Sequence, residues 1–230
     1  MSTNDYLSFD VVFCVEATSE MANYRDEIND FILKIFKNKI EESVEDCNES
    51  AETNLRVRFI HFNDVATSPH PFICSEFMKY DHNVVEEYLK TIDYKGGYGY
   101  CNAIEALSLA IRSPWDKGNM TKRAIVIVSK GKVRELGGVQ KNQTEYPSNV
   151  PKDLAELGRI WEGIETDTES SYFPAHSIIF AIVSKTYPWV ELQAWNRYWP
   201  EFEIWGGINE RDNLSHLHTV VANALFDGSF

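Results

Sequence analysis

The stretch VFCVEATSEM, residues 12–21, decides the fold of this 230-residue chain. It opens with a continuous apolar run rich in β-branched residues, which is typical of a strand covered on both faces. Three side chains that carry oxygen then follow at every second position, Glu16, Thr18 and Glu20. In α/β proteins, ligands bind beyond the carboxyl ends of the parallel strands. The stretch therefore predicts a place for a metal ion or a phosphate at the end of the first strand.

Strands and helices alternate along the rest of the chain. Apolar runs predict strands at 9–16, 55–64, 72–78, 123–130, 175–184 and 202–208, and helical periodicity predicts helices at 21–44, 83–92, 103–113, 152–164, 187–199 and 213–226. This order is typical of an α/β, doubly wound, mostly parallel six-stranded sheet with one short antiparallel edge strand and helices on both faces. The length suits one domain, which we expect to span residues 1–230.

Charge and cysteine usage narrow the function. The chain has 22 basic and 35 acidic residues and a formal net charge of −13, so a surface built to bind nucleic acid or an anionic membrane is not expected. The four cysteines lie far apart without a C-x-x-C motif, which favours a reducing compartment. Neither a signal peptide nor a membrane-spanning run is recognisable, so we expect a cytoplasmic protein.

Three segments cluster at the predicted carboxyl edge of the sheet and carry a resemblance to a known family. The first is the end of VFCVEATSEM, where an acidic, a hydroxyl and a further oxygen-bearing residue alternate before a methionine. The second is the Gly-Gly loop before the helix EALSLAI, and the third is the strand RAIVIVSK with its polar turn. Together they resemble a von Willebrand factor A domain, over nearly the whole chain. The resemblance implies a Rossmann-like sheet and a metal-ion-dependent adhesion site at these three loops.

In that family, an Asp-x-Ser-x-Ser loop, a Thr or Asp from a second loop and an Asp from a third hold Mg²⁺ or Mn²⁺, and an acidic residue of the partner completes the coordination. Such short oxygen ligands on rigid loops suit Mg²⁺, which demands near-octahedral geometry. The resemblance maps the ligand positions, in chain order, onto Glu16, Thr18, Glu20, Tyr98 (or Gly99) and Lys130. Only Thr18 keeps a ligand of the family's kind.

Lys130 is the decisive departure, because an ammonium group donates hydrogen bonds and has no lone pair to offer a cation. We therefore expect a degenerate, inactive metal site without a cofactor, in which the Lys130 ammonium pairs with Glu16, Glu20 or both. One alternative is a drifted loop whose lysine points to solvent. Another is a Mg²⁺- or Mn²⁺-dependent binding module that uses Glu16, Thr18 and Glu20.

The resemblance implies a non-catalytic protein–protein interaction or scaffolding module. Similar domains occur in bacterial proteins encoded beside kinases, phosphatases or stress-response components, which makes such a protein the expected partner. Aromatic side chains are frequent interface anchors, so the candidate interface comprises Tyr98, Tyr100, Trp189, Trp195 and Trp199. Packing of the tryptophans in the core is the alternative. The long segment 132–151 leaves the same edge and is a further candidate for recognition.

Enzymatic interpretations have less support in the sequence. Glu16 and Glu20 could act as paired carboxylates, but acidic residues at the start of a helix also stabilise its dipole. Cys101 beside Asn102 could be a nucleophile, yet no histidine is placed next to it by the pattern. A hydrolase on a related α/β sheet stays a less favoured alternative, and we expect no catalytic residue.

Overall fold

Five of the described strands are parallel and form the centre of the sheet. They are β1 (Ser8–Glu16), β2 (Asn54–Phe62), β6 (Thr121–Val128), β8 (Ser177–Ile182) and β9 (Phe202–Ile204). Every residue of β8 is buried and β1 is buried from Phe9 to Glu16, as expected for strands covered on both faces. This computed structural model describes residues 8–45, 54–118, 121–136, 146–161, 177–194, 202–204, 206, 208 and 214–226.

The antiparallel edge lies beside β2. Two short strands, β3 (Phe72–Cys74) and β4 (Met78–Lys79), both pair with β2, and the order along the sheet is β3-β2-β1-β6-β8-β9. The predicted fold class is thereby confirmed. The edge is divided in two because the Ser75 hydroxyl, 2.9 Å from the Phe59 amide nitrogen, accepts the bond that an edge-strand carbonyl would otherwise take.

In the described part of the chain, six α-helices cover the two faces of the sheet. One face carries α1 (Arg25–Glu45), α2 (His82–Lys90) and α6 (Leu214–Phe226), and the other carries α3 (Ala103–Ile111), α4 (Leu154–Trp161) and α5 (Trp189–Ala194). Because alternate residues of a strand point to opposite faces, β1 contributes Phe13 to the first core and Cys14 to the second. Among the described residues, no helix has the length and apolar character needed to cross a bilayer.

The turn that leaves β1 differs from the predicted continuous helix. Residues Ser19–Tyr24 form a 3₁₀ helix, and α1 begins only at Arg25. The Met21 amide bonds the Thr18 carbonyl at 3.0 Å, which is the tighter i→i+3 pattern, and the Met21 side chain is fully buried. Anchoring Met21 in the core directly after the strand therefore tightens the first turn.

The chain changes direction across the sheet between β1 and β6. From β1 the chain proceeds outward to β2, whereas β6, β8 and β9 proceed outward on the other side. Crevices open at such a switch point beyond the carboxyl ends of the two adjacent strands. Here those ends are Glu16 and the residues after Val128.

Candidate functional site

Glu16 lies at the switch point with its side chain buried, and both carboxylate oxygens are hydrogen-bonded. Oε1 accepts a bond from the Thr18 hydroxyl at 2.6 Å. Oε2 accepts from the Ser129 hydroxyl at 2.7 Å and from the amides of Lys130 and Gly131, each at 2.8 Å. Four hydrogen-bond donors therefore satisfy the buried Glu16 carboxylate, and none of them is a cationic side chain. Oriented hydroxyl and amide donors stabilise a carboxylate in this way.

The three predicted loops do come together. The Ser19 amide bonds the Gly96 carbonyl and the Lys95 amide bonds the Ala17 carbonyl, both at 3.0 Å, so the loop after β1 is joined to the glycine-rich loop. Gly97 lies against Thr18 so closely that a Cβ atom there would be 2.2 Å from the Thr18 Cγ2 atom. Glycine at 97 is thus required both by this contact and by its φ of +67°.

A second, two-stranded sheet joins the glycine-rich loop to the loop after β6. Its strands β5 (Tyr100–Cys101) and β7 (Lys132–Val133) run parallel, with Tyr100 opposite Lys132. The Lys132 amide bonds the Gly99 carbonyl and the Arg134 amide bonds the Cys101 carbonyl, each at 2.9 Å. Neither strand was predicted, because two residues are too few to show a periodic pattern.

The Lys130 side chain does not replace a metal ion in the way the sequence predicted. Its amide contacts Glu16, but its ammonium lies over the Tyr24 ring, 5.2 Å from the centroid. Across the described residues, Lys130 makes no ion pair with Glu16 or Glu20, so the predicted salt bridge is wrong. The physical reason is that the backbone of the same turn already supplies donors to Glu16, while an aromatic face attracts the ammonium.

The donor set does not fit the family's metal-ligand arrangement. The Glu16 carboxylate receives four donors, the Thr18 hydroxyl donates to it, and the third-loop position presents an ammonium group. Glu20 is exposed, and its Oε1 atom would lie 3.6 Å from a Cβ at Gly99. Over the ranges that the structure describes, no group of three or more His, Cys, Asp or Glu side chains is placed to hold a metal.

Two tyrosines of the candidate interface stand on the surface beside Glu16 and its loops. Tyr98 is 82% exposed and Tyr100 is 42% exposed. Tyr100 stacks on the Arg134 guanidinium, whose central carbon lies 4.6 Å from the ring centroid. Trp189 is only 2% exposed, so its prediction as an interface residue is wrong: it packs among the side chains of the second core. Trp195 and Trp199 lie outside the described residues.

Cys101 is buried rather than poised for attack. Its Sγ atom lies 3.3 Å from the Ser129 hydroxyl oxygen, and burial, aided by the Glu16 charge, raises the pKa of the thiol well above its ordinary value. A thiol that stays protonated is a poor nucleophile. Neither Cys101 nor the equally buried Ser129 is open to a substrate.

Two residues missed by the sequence interpretation form an ion pair across the site. Arg134 donates from Nε to Oδ1 of Asp64 at 2.5 Å and from Nη2 to Oδ2 at 2.8 Å. Asp64 is buried and follows β2, whereas Arg134 follows β7. The pair Asn63–Asp64 at the end of a predicted parallel strand was the available signal, because polar residues there face the same edge as Glu16.

Two buried asparagine side chains hydrogen-bond to the same loops. The Asn63 amide nitrogen donates to the Ala17 carbonyl at 2.9 Å and also to the Lys95 carbonyl. The Asn102 side chain accepts from the Val65 amide and donates to Glu105, at 2.9 and 2.8 Å. Buried amides that satisfy backbone groups in this way hold irregular loops in one conformation.

Glu105 is a buried carboxyl group behind this network. Its Oε1 accepts from the Asn102 amide at 2.8 Å and from the Tyr146 hydroxyl at 3.0 Å, while Oε2 has no hydrogen-bond partner among the described residues. Burial raises the pKa of Glu105 to about 6, although the Asn102 and Tyr146 bonds oppose the shift. Tyr146 ties residues of the long segment 132–151 to the start of α3.

The comparisons with known proteins extend the description of the fold. No protein-family model matches the chain, and no curated protein matches it. The pilus adhesin SpaC from Lactobacillus rhamnosus GG has a TM-score of 0.55 and 13% identity, over 97% of this chain and 31% of SpaC. Proximal thread matrix protein 1 from the mussel byssus has a TM-score of 0.57 and 11% identity, over 95% of this chain and 48% of that protein.

The likeness is one of fold. This chain thus spans about a third to a half of the length of these two proteins. A more distant structure, von Willebrand factor type A from Catenulispora acidiphila, has a TM-score of 0.47 and 8% identity, over 95% of this chain and 43% of that one.

Proposed function

We propose that this chain is a non-catalytic protein-binding module of the von Willebrand factor A type, which binds its partner through the carboxyl edge of the sheet without a metal ion. The observation that carries the proposal is the exposure of Tyr98 and Tyr100 on a loop that is hydrogen-bonded on both sides. We call these two side chains and their loop the tyrosine face.

Exposed tyrosines on a fixed loop suit protein recognition. A tyrosine offers a large apolar ring and a hydroxyl while losing little rotamer freedom on binding. Tyr100 is held against Arg134, and the loop is held by Thr18 and by β7, so the face is ordered before a partner arrives. Preordered contacts lower the entropic cost of association.

We propose binding without a metal ion because the Glu16 carboxylate is already occupied by hydrogen bonds. A cation that used this carboxylate would have to displace the Thr18 or Ser129 hydroxyl, or the two amides after Ser129. The Lys130 ammonium on the same turn would also repel it. The alternative of a Mg²⁺- or Mn²⁺-dependent module with Glu16, Thr18 and Glu20 as ligands is therefore not favoured.

The proposal includes one domain over residues 1–230, a bacterial origin and a cytoplasmic location. Cys14, Cys74 and Cys101 all carry free thiols, which suits a reducing compartment. The description of SpaC as a pilus adhesin gives that location no support. We propose a protein partner, with a kinase, phosphatase or stress-response component as candidates from the family resemblance, and neither nucleic acid nor membrane. A hydrolase is disfavoured, because Cys101 and Ser129 are buried.

The test is affinity capture from a lysate of the source organism with the immobilised chain, with and without a chelator. We expect a partner to be retained equally in both conditions, and to be lost with Tyr98→Ser or Tyr100→Ser. Val84→Ser, which removes another exposed apolar side chain on α2, serves as the control. Loss of the partner with chelator would support the cation-dependent alternative, and retention by both tyrosine variants would reject the tyrosine face.

A further inference from the structure

A cavity of about 400 Å³ opens between α3, β7, α4 and the turn before α5. Its volume lies within the range of about 300–1,000 Å³ that is usual for binding pockets. The apolar part of its lining consists of Ile104, Val133, Leu136, Leu154 and Pro188. Several of these side chains pack on the second core, so the walls are held by the body of the domain.

The charges around this cavity leave it negative. Arg134, the one basic side chain among its described lining residues, is already engaged by Asp64. Glu135 and Asp153 also line it, and neither makes an ion pair with any described residue. One Asp153 oxygen caps α4 by accepting from the Glu156 amide at 2.8 Å, which leaves the carboxylate charge in place. Two carboxylates without a counter-charge from the described residues thus border an apolar cavity.

Apolar surface continues past the rim of the cavity. Tyr187, which lines the opening, is 60% exposed, and Val190 on α5 is 47% exposed. Isolated exposed apolar side chains are common, but side chains grouped around a concave, charged pocket are typical of recognition sites.

We propose that this cavity docks a linear segment of a partner protein that carries one bulky apolar side chain flanked by Arg or Lys. The apolar side chain enters between Leu136 and Leu154, and the basic groups lie against Glu135 and Asp153. The proposal rests on different residues from the tyrosine face, so either can fail without the other. Opposite charge gives the segment its selectivity, whereas burial of the anchor gives most of its affinity.

Defined peptides test the proposal with the full chain. The probes are Ac-Gly-Ser-Arg-Leu-Arg-Ser-Gly-amide, the same peptide with Gly in place of Leu, and a third with Glu in place of both Arg residues. Fluorescence polarisation of labelled peptides measures affinity, and methyl chemical shifts of Val133, Leu136 and Leu154 report the place of binding. We expect saturable binding of the Arg-Leu-Arg peptide alone, with affinity that falls as salt is raised.

Matched variants separate the cavity from the general acidity of the chain. Glu135→Lys should weaken binding about tenfold or more, whereas Glu20→Lys, the same change beside the tyrosine face, should not. Tyr187→Ser should weaken binding without unfolding the chain, since that side chain is exposed. No saturable binding, equal binding of the Glu peptide, equal loss with both lysine variants, or shifts confined to other methyl groups would each overturn the proposal.

Discussion

The Arg134 guanidinium and the Asp64 carboxylate form a two-bond ion pair between residues 70 positions apart, with the aspartate buried and the arginine about a quarter exposed. The pair joins the loop after β2 to the loop after β7. Because both loops border the tyrosine face, its geometry depends on a contact that lies beneath the surface.

Removing the two partners should have unequal effects on stability. Arg134→Gln leaves a buried carboxylate without its cation and should lower the free energy of unfolding by about 3 kcal/mol. Asp64→Asn leaves a guanidinium that water can reach, and should cost about 1–2 kcal/mol. Urea unfolding monitored by circular dichroism measures both. Lys34→Gln, which breaks the exposed pair with Asp30, is the control and should cost about 0.5 kcal/mol or less.

Glu16 and Glu20, four positions apart, allow the same chemical change to be compared at a buried and at an exposed carboxylate. Glu16→Gln removes the negative charge that four donors surround and turns an amide NH₂ toward the Thr18 hydroxyl, which donates to Glu16, and should destabilise the chain by about 2–4 kcal/mol. Glu20→Gln alters an exposed side chain and should leave stability nearly unchanged. Thermal melts with excess Mg²⁺ or with chelator should coincide for the wild type, whereas a metal present at a hundred times its Kd would stabilise by about 2.7 kcal/mol.

Gly97 and Gly99 separate steric contact from backbone strain, since both have positive φ. An Ala at either position should cost about 1–2 kcal/mol for the left-handed conformation. Gly97→Ala should cost more than Gly99→Ala, because its Cβ would collide with Thr18, whereas at 99 the nearest group is Glu20 Oε1 at 3.6 Å. Equal denaturation midpoints for the two variants would contradict the close packing of Thr18 on the loop.

His61 should make the fold sensitive to acid. Burial lowers the pKa of His61 from 6.5 to about 4, and in the part of the chain that the structure describes its Nε2 atom has no hydrogen-bond partner. At mildly acidic pH the unfolded chain therefore binds a proton at His61 that the folded chain does not bind. The contribution of neutral His61 to the free energy of unfolding is present above pH 6.5 and is lost as pH falls toward 4. Between about pH 7.5 and 5 the loss should be about 2 kcal/mol. His61→Phe should remove that part of the pH dependence, and His82→Gln, at an exposed histidine, should not.

Glu105 should act in the opposite sense. Burial raises its pKa from 4.5 to about 6, so its contribution to stability is present below pH 4.5 and is lost as pH rises through 6. The full difference is about 2 kcal/mol. Tyr146→Phe removes a donor to the ionised carboxylate and should raise the pKa of Glu105 further. Carboxyl carbon shifts followed by NMR measure both values, and Glu105→Gln should flatten the stability profile in this window.

The fold was accessible from the sequence because its strands are continuous apolar runs. β1, β6 and β8 are buried almost throughout, so their apolar, β-branched residue types alone identify them as strands. The convergence of the three loops also followed, since parallel strands place their carboxyl ends at one edge.

The side-chain contacts within those loops could not be predicted from the sequence. Lys130 shows the reason: its residue type allowed a salt bridge, but the turn directs its backbone amide at Glu16 and its ammonium at Tyr24. Side-chain direction in a loop depends on backbone angles that no periodic pattern encodes. The Asp64–Arg134 pair was missed for a related reason: Asp64 ends a predicted strand, but Arg134 lies in a segment without a recognisable repeat, so the sequence does not show that the two side chains meet.

The small sheet of β5 and β7 bears on how the binding specificity of the tyrosine face can change during evolution. Its two strands hold one end of the tyrosine loop through backbone bonds, such as that from the Lys132 amide to the Gly99 carbonyl. Backbone bonds do not depend on the identity of the side chains they carry. The exposed residues at 98 and 132 can therefore be replaced without disturbing these bonds, so different side chains can be presented to a partner on the same loop conformation.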